Sequence, residues 1–152
     1  MLTGWRIVPA GRAADAFVGE GARLFGGRWN SSGVAVVYGS AHKSLAALEQ
    51  LVHHQPRSPN RFKVFRFQCD DSLIETLAPR ALPRDWRLEP PPPSTQRIGD
   101  AWVHAARSAV LAVPSIIIPE ELNFVLNPAH ADFKKITIAK PEDFTFDPRL
   151  LA

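Results

Sequence analysis

The run Gly26 to His54, GGRWNSSGVAVVYGSAHKSLAALEQLVHH, constrains the fold more than any other part of the chain. A glycine-flanked arginine leads into a turn at Asn30-Ser31-Ser32-Gly33. An apolar, β-forming segment, Val34 to Tyr38, follows, and then a helix. Ser40 reads as the helix N-cap, its hydroxyl able to accept from an orphan N–H of the first turn. From there Ala41, Leu45, Leu48 and Val52 recur at helical spacing and form one apolar arc. Lys43, Ala47, Gln50 and His54 fall opposite. Glu49 lies at the edge of the apolar arc, beside Leu45. A carboxylate there either reaches past the core to water or an ion pair, or is held in a cleft for chemistry. Pattern alone leaves both readings open. Arg28 and Tyr38 are the groups nearby that would suit a cleft.

The chain has 152 residues, enough for one domain with a proper core. With 45% hydrophobic and 22% charged residues it falls in the range of ordinary globular proteins. No apolar run approaches the roughly 20 residues that span a membrane. The first residues lack a continuous apolar core of signal-peptide length, so the expectation is a cytoplasmic protein with no membrane contact. The lone Cys69 excludes an intrachain disulfide and a cysteine-rich metal site, and reads as a small packed residue. A net charge of +3 is mild. It permits phosphates or an acidic partner, but there is no dense Lys/Arg cluster of the kind that tracks a nucleic-acid backbone.

Elsewhere the pattern is strand-rich. Trp5 to Val8, Arg61 to Cys69, Ser115 to Ile118, Asn123 to Leu126 and Ile136 to Ala139 read as strands. Asp71 to Leu77 reads as a brief helical turn. Ala78 to Ser94 is a proline-rich loop with Pro90 to Pro93 consecutive, a surface segment or a lid. Gly99-Asp100 opens a second helix with Trp102, Val103, Ala106 and Val110 as its stripe, closed by Pro114. Phe144 and Phe146 anchor a polar tail. Strands with two helices interposed argue for α+β, a single domain with a β core and flanking helices.

Several chemistries fail on spacing. His42, His53, His54, His104 and His130 show no H-E-x-x-H or Cys/His metal spacing. Ser115 lies in V-P-S-I-I rather than a G-x-S-x-G elbow, so a small strand residue and a hydrogen-bonding group at a sheet edge are its two readings. Glu49 can be one member of a glycosidase-like carboxylate pair, but Glu75, Glu120 and Glu121 read as surface residues. Asn123 and Asn127 flank a short strand, with turn and cap roles as the plain alternative.

The stretch from Gly26 to His54, together with STQRIGDAWVHAARSAVLAVPSIIIPEELNFVLNPAHADFKKI, resembles the signature of the RES domain family. Arg28 in G-G-R-W-N, Glu49 in A-L-E-Q-L-V-H and Ser115 in V-P-S match the arginine, glutamate and serine of its name. Tyr38 matches the tyrosine after the strand, and Asn123, Asn127, Pro128 and His130 match its N-x-x-x-N-P-x-H segment. Ser31-Ser32 stands where a proline is usual. The resemblance covers residues 1–152 as one RES domain. It implies a fold like the ADP-ribosyltransferases. It also implies the toxin of a bacterial type II toxin–antitoxin pair, with an Xre-like antitoxin that carries the DNA-binding part and room for a homodimer within the complex. The implied activity is NAD depletion by cleavage of the nicotinamide–ribose bond, by hydrolysis, by phosphorolysis or by transfer to a protein. NAD is substrate there, with no resident cofactor or metal. On this reading Glu49 stabilises the oxocarbenium ion and Arg28 clamps the pyrophosphate. Tyr38 stacks on nicotinamide, Ser115 bonds the ribose or phosphate, and Asn123 lines the wall. The competing class is a nucleotide-binding module without turnover.

Overall fold

The computed structural model describes residues 1–151. Its centre is a mixed sheet of β1 (Leu2–Pro9), β2 (Val37–Ser40), β3 (Phe62–Cys69), β4 (Ile74–Thr76), β5 (Val110–Pro114), β6 (Leu122–Leu126), β7 (Thr137–Ile138) and β8 (Glu142–Phe144). The spatial order is β4-β5-β6-β2-β1-β3-β7, with β8 also paired to β3. Strands β4 and β5 run parallel, and the other pairings are antiparallel. Flanking it are α1 (Glu20–Phe25), α2 (Lys43–Leu51) and α3 (Pro93–Ala105). This is the α+β architecture that the sequence predicts.

Side chains on a strand alternate between faces, and the core divides accordingly. Val36, Leu111, Val113 and Val125 join Trp29 and Trp102 on the face that α3 covers. Val37, Val110, Ala112, Phe124 and Leu126 join Phe67 and Cys69 on the other. Strand β5 is therefore buried on both faces, which is why it reads as a continuous apolar run. Cys69 is packed in that core, and burial pushes its thiol up, away from the reactive thiolate. Helix α2 rests Ala46 on Ile7, Phe62, Val64 and Phe146.

Several expected boundaries move. Ser40 is the last residue of β2, and His42 stands at the N-cap of α2 without a side-chain cap bond. The hydroxyl of Ser40 is instead given to Asn123. Of the expected arc only Leu45 is fully buried; Leu48 and Val52 are exposed, because α2 meets the sheet through Leu45 and Ala46. Helix α3 opens at Pro93, where a proline's missing N–H costs nothing, and not at Gly99. It ends at Ala105, so Val110 belongs to β5. The strand expected at Ser115 to Ile118 does not form there: the apolar strand is Val110–Pro114, and Ser115 begins the loop after it.

Candidate active site

Arg28, Tyr38, Glu49 and Asn123, four of the five predicted residues, line one cleft of about 880 Å³, together with Arg6 and Glu89. Register explains part of this. Ser40 of β2 faces Asn123 of β6, and Asn123 also faces Val113 of β5. Ser115 lies two residues beyond Val113. Glu49, on the last turn of α2, projects to this end of the sheet.

The carboxylate is held from one side. Ser115 Oγ donates to Glu49 Oε1 at 2.8 Å, and Asn123 Nδ2 donates to the same oxygen at 2.7 Å. Each donor is oriented in turn. Ser115 Oγ accepts from the backbone N–H groups of Ile117 and Ile118, so its one hydrogen points to Glu49. Asn123 Oδ1 accepts from Ser40 Oγ at 2.7 Å, which fixes which end of the amide faces the glutamate. Among the described residues Glu49 Oε2 makes no hydrogen bond, and Glu49 lines the cleft. Ser115 itself has no exposed surface and is not on the cleft wall. The expected direct bond from Ser115 to a ribose or phosphate is not what this geometry offers; its hydroxyl is spent on the Glu49 carboxylate.

Arg28 lies in the loop before β2, and that loop is braced on α3. Gln96 Nε2 donates to Gly27 O, and Asp100 accepts from both Ser31 N and Ser31 Oγ. Gly99 lets Trp29 lie against the helix backbone: a Cβ there would sit 1.5 Å from Trp29 O. The Arg28 side chain is only 10% exposed. Its Nη1 donates to Trp86 O at 2.9 Å and Leu88 O at 2.7 Å, and Nη2 pairs with Glu89. The cation is thus placed by the proline-rich segment as well as by its own loop.

Tyr38 serves this loop too. Its hydroxyl donates to Asn30 Oδ1 at 2.6 Å and accepts from Trp29 N at 3.0 Å, and burial pushes the phenol well up from its ordinary value. The ring still borders the cleft. The sequence reading missed Arg6. Its Nε donates to Ala16 O and its Nη1 to Tyr38 O, each at 2.8 Å. Burial lowers it to about 10, with Asp15 opposing, so it stays cationic at neutral pH. The available signal was a lone arginine inside the apolar strand W-R-I-V. Asn30, fully buried and bonded to Ala22 O and Val34 O, was read only as a turn residue. Asn127 and His130 lie apart from the cleft. Asn127 Oδ1 caps Ala129 N, and His130 Nε2 contacts Ala106 O at the end of α3. Among the described residues no three His, Cys, Asp or Glu side chains gather as metal ligands.

The RES domain sequence model matches residues 3–147. The chain belongs to the RES domain family. It is 41% identical to Toxin Res of Yersinia enterocolitica over 148 residues, 96% of this chain and 97% of the relative. It is 40% identical to the Prs ADP-ribosylating toxin of a Sphingobium species over 154 residues, 97% of this chain and 95% of that one. Among solved structures, a chain of the M. tuberculosis MbcT–MbcA toxin–antitoxin complex superposes with a TM-score of 0.76, at 20% identity, over 99% of this chain and 86% of that chain. The RES chain therefore has an ADP-ribosyltransferase-like fold, as the motifs imply. No helix among its described residues is long and apolar enough to cross a membrane.

Proposed function

We propose that this RES protein is the toxin of a bacterial toxin–antitoxin pair and that it cleaves the nicotinamide–ribose bond of NAD in the Glu49 cleft. The observation that carries the reading is the half-satisfied carboxylate. Ser115 and Asn123 fix one oxygen of Glu49, and the residue lines a cleft that also carries the half-buried Arg6 and Arg28.

The chemistry follows from that arrangement. The bond between the ribose anomeric carbon and nicotinamide breaks with its electron pair going to the nicotinamide nitrogen. The positive charge passes to the ribose as an oxocarbenium ion. A fixed carboxylate bonded to the ribose hydroxyls stabilises that charge as it develops, with no reorganisation needed at that moment. Arg28 and Arg6 supply charge for the pyrophosphate, and the Tyr38 ring offers a face to an aromatic base. Water adds to the anomeric carbon and loses a proton to solvent, which completes hydrolysis. NAD is consumed as substrate in the cytoplasm, and no cofactor or metal is required. The partner is an Xre-like antitoxin whose acidic segment blocks the cleft, and DNA is reached through the antitoxin. The name of the Sphingobium relative favours a second reading, transfer of the ADP-ribosyl group to a protein.

The test is to mix purified protein with NAD and follow free nicotinamide, with and without phosphate, beside Glu49→Gln. Wild type should release nicotinamide, and the variant should lose about 10²–10³-fold in rate, as for removal of a positioned transition-state stabiliser. ADP-ribose as co-product means hydrolysis; a phosphorylated product that requires phosphate means phosphorolysis. A mass increase on a target protein assigns transfer. Near-wild-type cleavage by Glu49→Gln would sink the electrostatic role.

A further inference from the structure

Arg28 already holds an anion. Its Nη2 pairs with Glu89, and Nη1 takes the carbonyls of Trp86 and Leu88. From the same segment Arg87 Nη2 donates to Ile116 O at 2.8 Å, in the loop whose N–H groups hold Ser115. The stretch Trp86–Glu89 is thus strapped between the two halves of the site. Asp85 anchors its other end, accepting from Ser94 Oγ at 2.5 Å. The ion pair is lopsided: the Arg28 side chain is 10% exposed and that of Glu89 61% exposed. Among the described residues the Nε–Nη2 edge of the guanidinium has no partner except Glu89.

We propose that Glu89 is an internal competitor for the anion-binding edge of Arg28, and that it sets the affinity of the cleft for pyrophosphate-bearing ligands. A diphosphate that engages this edge exchanges one charge-assisted bond for another, and Glu89, facing water, is the member free to leave. The backbone bonds from Nη1 persist through that exchange and keep the cation in place. The strap therefore orients Arg28 with its carbonyls and weakens ligand binding with its carboxylate. The choice of a diphosphate rests on the NAD reading; the competition at Arg28 does not.

The test is calorimetric titration with ADP-ribose, which has no nicotinamide bond to break. Glu89→Gln and Glu89→Ala should both bind about two- to fivefold tighter than wild type, the size of an exposed ion pair. In an Arg28→Met background the same substitutions should change nothing. Equal or weaker binding by both Glu89 variants would overturn the proposal, since Glu89 would then be a positioning residue for Arg28. A gain that survives Arg28→Met would overturn it too, because that is general charge repulsion. So would absence of ADP-ribose binding in every protein. Nicotinamide release by wild type, followed alongside, reports on the NAD reading separately: a protein that cleaves NAD with no Glu89 effect on ADP-ribose affinity loses only the competition.

Discussion

Glu49 is defined less by its own environment than by the residues that aim it. Ser115 makes three bonds with one hydroxyl, donating to Glu49 and accepting from Ile117 and Ile118 N–H. Ser115→Ala should therefore act twice. Leaving those N–H groups unpaired should lower stability by about 1–2 kcal/mol. Losing one of two bonds to Oε1 should lower kcat by about tenfold with little change in KM, since Asn123 still holds the carboxylate. A melting curve and a kcat/KM split check both, and an unchanged kcat would show that Ser115 only caps its loop. Tyr38→Phe separates two roles in the same way. It keeps the ring but strips Trp29 N and Asn30 Oδ1 of their partner. A loss of about 1–2 kcal/mol is expected, whereas a tyrosine that only stacks would show none. Arg28, Tyr38 and Glu49 were legible because they lie in one continuous stretch whose spacing resembles a known motif. Arg6 and Glu89 were not, because each enters the cleft from a distant segment, and an arginine in an apolar strand or a glutamate before a proline run does not say what it will face. Ser115 is legible as a motif residue, but its place behind the Glu49 carboxylate is not, since burial is a tertiary fact.

At the level of elements, α3 shows why local signals mislead. Gly99-Asp100 reads as a helix opening, so the sequence places the helix start there. The helix in fact runs through it, and the glycine is required because Trp29 of the Arg28 loop packs directly on the helix backbone. Propensity and packing make opposite predictions for Gly99→Ala. Propensity alone favours alanine by about 1 kcal/mol in a helix interior. The added Cβ would meet backbone, not a yielding side-chain end, and overpacking of that kind costs about 1–3 kcal/mol or more. Gly99→Ala is therefore expected to destabilise, with the denaturant midpoint falling in melts. Because the Arg28 loop must move aside, it should also weaken ADP-ribose binding. A stabilised protein with unchanged binding would show that the contact is slack. Likewise the residues of α2 predict a helix, but its buried face is turned from the expected arc of Ala41, Leu45, Leu48 and Val52. The sheet meets Leu45 and Ala46, and Leu48 and Val52 remain in water.

Across the whole molecule the chain end floors the helix that carries Glu49. Strand β8 pairs with β3, placing Phe144 opposite Phe62, and Phe146 then turns under α2. Its ring lies edge-on to Phe62 with centroids 5.1 Å apart. Asn60 and the Phe146 backbone exchange two bonds, Nδ2 to O at 2.9 Å and N to Oδ1 at 2.8 Å. Ala46, three residues before Glu49, packs in the same cluster. Phe146 is 3% exposed and packs on Ile7, Ala46, Phe62 and Val64, so Phe146→Ala removes a buried ring from that cluster. The expected loss is about 3–5 kcal/mol, a large share of the roughly 5–15 kcal/mol that holds a domain folded. Phe144→Ala, at a half-buried position on the edge strand, should cost less. If the tail only adds stability, NAD cleavage per folded molecule is unchanged in Phe146→Ala. If it also fixes the height of α2 over the sheet, as the shared cluster with Ala46 requires, cleavage falls further than the folded fraction does, because small misplacements of a catalytic group are costly. Measuring turnover and unfolding on the same sample separates the two, and the second outcome is the one expected.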